Sequence, residues 1–292
     1  MENLISFETK KNTFVFPHKS SSSELDIERR ALTEALNENL GIIYSTSTTD
    51  SKVLDSIKNQ CEEAGRKVFL VSFTEPSIHH GLNPFLNLKP TEIAQLYFSP
   101  DSKEHKLLTA VFENQTGPIT PDVVLKIVHQ NHTLFKSFFE PLLQNINAIV
   151  SSINPFSNID KDRNVDLSSI INKGHVLILG GLNDADPLLA EQIKTFINDY
   201  LIKPLFLNNQ INFERSTRTY TITSSESAID PTFTEKVFAY GSQLNMQGLY
   251  TERRTKRSEY ESMHLIYANS HNKIKGDSPK LDLFLGEMGL PV

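Results

Sequence analysis

The chain has 292 residues, a net charge of −6, one cysteine and no tryptophan. The mildly acidic balance gives no general support to nucleic-acid binding, and a lone Cys61 excludes an internal disulfide framework. Only 12 residues are glycine, below the usual share of roughly 7%. None of them builds G-x-x-x-x-G-K-[ST] or G-x-G-x-x-G, so a standard P-loop enzyme and a standard dinucleotide-binding enzyme are excluded at the level of the motif.

The N-terminal part alternates strand and helix patterns. Apolar runs predict strands at Thr13–Phe16, Gly41–Ser45 and Lys67–Phe73, and amphipathic stretches predict helices over Glu24–Asn39 and Asp50–Ala64. A βαβαβ order with this spacing favours a parallel sheet covered by helices on both faces. The predicted fold class is therefore α/β, with a mostly parallel sheet flanked by helices.

The rest of the chain predicts a helical insertion and a return to the sheet. Residues 91–152 carry helical patterns without convincing strands. We predict an α/β domain formed by residues 1–90 and 153–292, with residues 91–152 inserted into it. The later predicted elements are a strand over Gly174–Leu182, a helix over Asp186–Lys203, a strand over Arg218–Thr223, a helix over Pro231–Tyr240 and a last sheet strand over Met263–Asn269.

Targeting signals are not apparent in the sequence. The N-terminus lacks a basic region followed by an apolar one, and the most apolar stretch, near His175–Leu182, is far shorter than the roughly 20 residues of a membrane crossing. We expect a cytoplasmic protein without direct membrane insertion.

Several segments together resemble a known family. The stretch GIIYSTSTTDSKVLDSIKNQCEEAGRKVFLVSF reads as strand, helix and strand, and HGLNPF, VDLSSIINKGHVLILGGLNDAD and YANSHNKI follow it in order. This order resembles the cytoplasmic ATPase domain of type IV secretion and conjugation coupling proteins, the TraG/TraD type, which is related to the FtsK/HerA motors. The resemblance implies a RecA-like fold, in which residues 91–152 take the place of the family's all-α insertion.

The resemblance also marks where a motor's phosphate-binding loop would stand. The loop would follow Thr13–Phe16, where the sequence reads PHKSSSS and contains no glycine. Pro17 has no N–H to donate, and Lys19 and Ser20 come too soon after the strand for the usual spacing. The sequence therefore predicts that the cradle for a nucleotide phosphate has been lost.

The other catalytic positions are replaced as well. The resemblance would place an Mg²⁺-binding Asp and a water-positioning Glu at Ser224 and Ser225, and Glu226 comes one residue late. A finger arginine would fall at Ser242, and a glutamine sensor near Leu249–Glu252 has no clear counterpart. Because phosphoryl transfer depends on positioning and charge neutralisation, the family's large catalytic contributions would all be missing.

The sequence is therefore interpreted as a pseudo-ATPase without a cofactor. It would be a non-catalytic accessory subunit of a bacterial coupling complex, such as the Dot/Icm type IVB complex. Expected partners are the other subunits, including the complex's ATPase, and a second copy of the chain; these partners would recruit it to the inner membrane. One alternative is a nucleotide-binding or hydrolysing NTPase with a non-standard loop, using Lys19, Ser20 and Glu226. Another is a DNA-binding relic that uses a basic cluster.

Two segments are candidates for partner contact. A basic cluster could contact phosphate or an acidic partner, but Glu252, Glu259 and Glu261 dilute its field, so a solvated loop is the favoured interpretation. The C-terminal residues are unusually apolar, and either pack into the chain's own core or dock on a partner. The candidates are Arg253, Arg254, Lys256 and Arg257 in the cluster, and Leu283, Phe284, Leu285 and Met288 in the C-terminal segment.

Neither a metal site nor a reactive thiol is predicted. His129 and His132 are spaced to share a helix face, but the sequence offers no convincing third ligand. Cys61 precedes Glu62 and Glu63, whose charges raise rather than lower the pKa of a thiol.

Overall fold

The computed structural model describes residues 9–16, 21–73, 80–83, 85, 88–95, 98–130, 164–165, 167–182, 190–191, 193–194, 197–198, 218–252 and 260–275. Its helices and strands, in chain order, are β1 (Thr13–Phe16), α1 (Ser21–Asn37), β2 (Gly41–Ser45), α2 (Ser51–Glu63), β3 (Val68–Val71), α3 (Pro90–Gln95), α4 (Lys103–Glu113), α5 (Pro121–Gln130), α6 (Leu167–Lys173), β4 (Val176–Leu179), β5 (Thr219–Ser224), α7 (Pro231–Tyr240), β6 (Met246–Thr251), α8 (Tyr260–Ala268) and β7 (Asn272–Lys275). A short 3₁₀ helix, Gly241–Leu244, joins α7 to β6.

The described strands form one seven-stranded parallel sheet, in the order β3-β4-β2-β5-β6-β1-β7. Parallel strands need crossover connections, which helices provide here. Helix α1 connects β1 to β2, and α2 connects β2 to β3. Helix α7 connects β5 to β6, and α8 connects β6 to β7. The predicted α/β class with a parallel sheet is confirmed. Because β6 pairs with both β5 and β1, segments far apart in sequence end at the same edge of the sheet.

The chain divides into two compact units. The first contains residues 1–70, 166–183 and 210–292, and the second contains residues 71–165 and 184–209. The predicted domain boundaries, with an insertion at residues 91–152, stay a prediction.

One face of the sheet is covered by α1 and α2. Alternate residues of β2, β4 and β5 point to this face and are fully buried, as the period of two requires. The helices contribute Ala31, Leu32 and Ala35 from α1, and Leu54, Ile57 and Cys61 from α2. Burial is the largest cause that raises the pKa of Cys61 to about 12; Arg66 opposes the rise and Glu62 adds to it. The thiol is therefore protonated at neutral pH, as expected for a core residue.

A buried guanidinium joins three connections at the amino ends of the strands. Arg66 follows α2, and its side chain donates to the carbonyl oxygens of Leu40, which follows α1, and of Gly174, which follows α6. It also donates to Oδ1 of Asn39 over 2.7 Å. Helix carboxyl ends carry partial negative charge, so they favour a cation at this position. One side chain thus fixes how the chain enters β2, β3 and β4.

The second unit has its own apolar core and a buried asparagine that orders a loop. The core is formed by Phe85, Ile93, Ala94, Leu108, Phe112, Ile119, Val124 and Ile127. Asn83 donates its backbone N–H to Oδ1 of Asn164 over 3.0 Å, donates its side-chain amide to the carbonyl of Ile119 over 3.2 Å, and accepts from the N–H of Phe85 over 3.1 Å. The Asn of the HGLNPF segment therefore organises the loop that leads to the helices.

One predicted strand is wrong and two strands were missed. The predicted last strand, Met263–Asn269, lies largely within helix α8, where Met263, Ile266 and Tyr267 are buried while Leu265 is 37% exposed. That spacing of three and four is helical, but a short apolar run does not separate the two structures by periodicity alone. The last strand is the polar segment NKIK of β7, which lies at the end of the strand order.

Strand β6 was missed because glycine and glutamine interrupt its apolar pattern. The glycine has a packing role: a Cβ at Gly248 would lie 2.1 Å from Oγ1 of Thr221 on β5.

Among the described residues, no helix combines the length and the hydrophobicity that a membrane crossing requires.

Candidate functional site

The carboxyl ends of the central strands form the candidate site. In open parallel sheets, ligands bind beyond these ends. The register pairs Ser224 of β5 with Thr251 of β6, and Thr251 with Val15 of β1, so these strands end at nearly the same level. Helix α1 packs against β5 and β6 on one face of the sheet. The ends of β1 and β5, which precede the positions that sequence reasoning assigned to phosphate and metal binding, therefore lie at one edge of the sheet.

The connection between β1 and α1 is short. Strand β1 ends at Phe16 and α1 begins at Ser21, which leaves four residues between them. In the P-loop motif, six residues precede the Lys that contacts phosphate, whereas two separate Phe16 from Lys19. Lys19 and Ser20 themselves lie outside the described residues.

The end of β5 has hydroxyl groups where the resemblance places an acidic pair. Ser224 is the last residue of β5, Ser225 follows it, and both are 1% exposed. The chain then turns: Ser227 donates its hydroxyl to the carbonyl oxygen of Ser224 over 2.8 Å. Asp230 ends the turn by accepting the N–H of Thr232 at the start of α7. Glu226 is half-buried within the turn.

A buried carboxylate on α1 bonds two strands at this edge. Glu28 is 1% exposed, and its Oε2 accepts from the hydroxyl of Tyr44 on β2 over 2.7 Å. Its Oε1 accepts from the hydroxyl of Thr251 on β6 over 3.4 Å. Burial, together with the charge of Glu28 and the hydrogen bond to it, raises the pKa of Tyr44 well above its usual value. The Tyr44 phenol therefore stays protonated and donates across the physiological range.

Sequence reasoning missed Glu28, although a signal for it was present. The residue falls between Leu25 and Leu32 on the apolar stripe of α1, where a charged side chain must be buried with partners. The sequence pattern was used only to predict the helix, and the carboxylate on its apolar stripe was not assigned a role.

Glu252 is buried, although sequence reasoning counted it with the solvated residues beside the basic cluster; the loop that follows it lies outside the described residues. Glu252 is 2% exposed; its N–H donates to the carbonyl oxygen of Val15 over 2.9 Å, and its Oε2 accepts from the hydroxyl of Tyr250 over 2.8 Å. Glu252 directly follows the last residue of β6 and is hydrogen-bonded to β1, so its carboxylate lies at the carboxyl edge of the sheet. No local sequence pattern shows that Glu252 is buried while the basic residues after it belong to a different segment.

The remaining predicted sites are only partly described. Ser242, at the finger position, is exposed within the 3₁₀ helix, and the last turn of α7 has no basic residue. The basic cluster and the apolar C-terminal segment lie outside the described residues, as do His132 and the side chain of His129. Across the described parts of the chain, no group of three or more His, Cys, Asp or Glu could hold a metal ion.

Comparison with known proteins identifies the fold. No protein-family model matches the sequence, and no curated protein matches it. Among solved structures, VirB4 of Thermoanaerobacter pseudethanolicus is similar with a TM-score of 0.55 and 13% identity, over 96% of this chain and 81% of that chain. The bacterial conjugative coupling protein TrwBdeltaN70, in an unbound monoclinic form, has a TM-score of 0.53 and 11% identity, over 91% of this chain and 68% of that chain. The predicted RecA-like fold is confirmed.

Proposed function

We propose that the chain is a non-catalytic accessory subunit of a bacterial type IV secretion coupling complex. It acts through protein–protein contacts with the other subunits, including the ATPase, and these contacts bring it from the cytoplasm to the inner membrane. Complexes of the Dot/Icm type, which translocate effector proteins, are the expected setting. The helices that follow β3 belong to the insertion of a coupling-protein layout.

The fold supports the choice of system. A conjugative coupling protein and VirB4 share the architecture over about nine-tenths of this chain or more, although identity is near one residue in eight. Fold alone does not carry function, so the assignment to a coupling complex depends also on the segments GIIYS, HGLNPF and YANSHNKI, in their order.

One observation carries the non-catalytic part of the proposal. At the edge where a motor binds nucleotide, the side chains at the end of β5 are buried serines, and the nearest helix inserts the carboxylate of Glu28. A phosphate at this edge would meet a negative charge, and no carboxylate on Ser224 or Ser225 would hold its Mg²⁺. These features disfavour the binding and hydrolysis of a nucleotide. They favour a role in which the chain binds other proteins.

Affinity capture with surface variants tests the assembly role. We expect the tagged chain, expressed in its native bacterium, to retain secretion-system subunits from solubilised membranes. A double variant, Leu283→Asp with Phe284→Asp, should reduce their recovery by about tenfold, because charged groups are excluded from the apolar centre of an interface. Quantitative mass spectrometry with equal bait provides the measurement.

The control is an exposed aromatic side chain outside the predicted surface. Tyr240 is 57% exposed on α7, and Tyr240→Ser should leave recovery unchanged. Replacing Arg253 and Arg254 with serine tests the basic cluster separately. Recovery of no secretion-system subunit by the unmodified chain would refute the assembly role.

A further inference from the structure

The hydrogen-bonding node around Glu28 spans three neighbouring strands. Strand β5 lies between β2 and β6 in the sheet, and the carboxylate of Glu28 bonds to the two outer strands of this trio. The register pairs Tyr44 with Ile222 on β5, and Ser224 with Thr251. Side chains on paired positions of a parallel ladder share a face, so Tyr44, Ser224 and Thr251 all face α1.

The groups contributed by the strands are hydrogen-bond donors suited to an anion. Hydroxyl groups that donate to a carboxylate form charge-assisted bonds, which are stronger than neutral ones. Burial and the neighbouring charge of Glu28 raise the pKa of Tyr44 and hold it in its donating state, although a hydrogen bond with Thr46 acts in the opposite direction. The hydroxyl of Ser224 is buried beside Thr251 and has no hydrogen-bond partner among the residues that the structure describes. Such a hydroxyl is an additional donor for any anion at this place.

We propose that Glu28 is an internal ligand, whose carboxylate fills an anion-binding position built by the hydroxyl groups of β2 and β6. The inference rests on the proposed function, because it explains how the carboxyl edge of the sheet is stabilised when no nucleotide phosphate binds there. In the proposal, the carboxylate holds α1 on the carboxyl edge of the sheet permanently. The first unit therefore keeps one arrangement whether or not nucleotide is present, which suits a subunit that serves as a constant docking platform.

Removal of the internal ligand should leave a site for a small carboxylate. Glu28→Ala deletes the CγH₂–COO⁻ portion, which is the size and charge of acetate. We expect the variant to melt about 5 °C below the unmodified chain, because two buried hydroxyl groups lose their acceptor. Potassium acetate should restore at least half of this loss, while potassium chloride at the same ionic strength should not. Differential scanning fluorimetry measures both.

Two further variants make the result specific. Glu34→Ala removes an exposed carboxylate from the same helix, so it should melt normally and show no difference between acetate and chloride. Glu28→Gln keeps the side-chain volume but has only one acceptor oxygen and no charge. It should melt at an intermediate temperature without responding to acetate, because its own amide fills the site.

Equal responses of Glu28→Ala to acetate and to chloride would overturn the inference. If that variant does not fold, a Glu28→Gln variant that melts like the unmodified chain would overturn it instead, since the charge would then be dispensable. Neither outcome bears on the assembly role. Conversely, a rise in the melting temperature of the unmodified chain with Mg-ATP, lost in Glu28→Gln, would make Glu28 a nucleotide-site group and refute the proposed function itself.

Discussion

Arg66→Ala is expected to lower the free energy of unfolding of the first unit by about 3–5 kcal/mol, since the loss of a buried charged donor leaves its acceptors unpaired. The side chain is 8% exposed and serves carbonyl oxygens of two separate connections, Leu40 and Gly174. These carbonyl groups immediately precede β2 and β4, so the substitution removes hydrogen bonds at the starts of two central strands. Urea unfolding followed by tyrosine fluorescence measures the effect, because the chain has no tryptophan and Tyr44, Tyr220 and Tyr250 are buried in this unit.

Two comparisons identify the cause of that loss. Arg30→Ala removes an exposed arginine from α1 and should change the free energy of unfolding by less than about 0.5 kcal/mol. Arg66→Lys keeps the charge but not the planar fork, so it should recover only part of the stability. If Arg66→Ala unfolded at the same urea concentration as the unmodified chain, the guanidinium would not organise these connections.

Gly181→Ala is expected to cost about 2–3 kcal/mol and to disturb the carboxyl edge of the sheet. A Cβ at this position would lie 2.1 Å from the carbonyl oxygen of Ser47, which is backbone and cannot rotate away. The Gly181 N–H also donates to the carbonyl of Thr48 over 2.7 Å, so the segment after β4 is held against the segment after β2. The same urea titration applies, and hydrogen exchange of the Gly181 amide should quicken if this contact opens.

A glycine without close neighbours provides the control. Gly65 follows α2 with φ of +75°, and a Cβ there would meet nothing within 4 Å. Asparagine tolerates this conformation, so Gly65→Asn should cost about 1 kcal/mol or less. A cost for Gly181→Ala no larger than this would show that the two segments separate easily.

Much of the fold could be predicted because burial on both faces leaves a clear pattern. The runs GIIYS and KVFLVSF are nearly continuous apolar segments, and each contains a strand of the parallel sheet. Local signals also mark both ends of α2, because Asp50 caps its start and Gly65 takes the positive φ that a helix C′ position requires. The predicted strand at Met263–Asn269 was wrong, because a short apolar run is compatible with a strand or a helix. The tertiary packing of this segment favours the helix.

The candidate site was less predictable than the sheet. Ser224 and Ser225 could be found because the resemblance specifies positions along a strand. The position of Glu28 on the apolar stripe of α1 signals a buried carboxylate, but its partners could not be predicted, because their hydroxyl groups lie 16 and 223 residues away in sequence. Glu252 was misinterpreted for a similar reason, since its burial follows from a backbone bond to β1 that no local pattern reveals.

One claim about the carboxyl edge of the sheet is central: internal groups occupy this edge, and nucleotide does not. Two observations support this claim, namely the short connection between β1 and α1 and the node around Glu28. The competing hypothesis assigns nucleotide binding to Lys19, Ser20 and Glu226.

Isothermal titration of the purified chain with Mg-ATP, paired with a phosphate-release assay, decides between them. We predict no saturable heat at millimolar nucleotide and a rate of phosphate release equal to that of buffer. Saturable binding that Lys19→Ala abolishes, or phosphate release that the same substitution removes, would contradict the account and establish an NTPase with a non-standard loop.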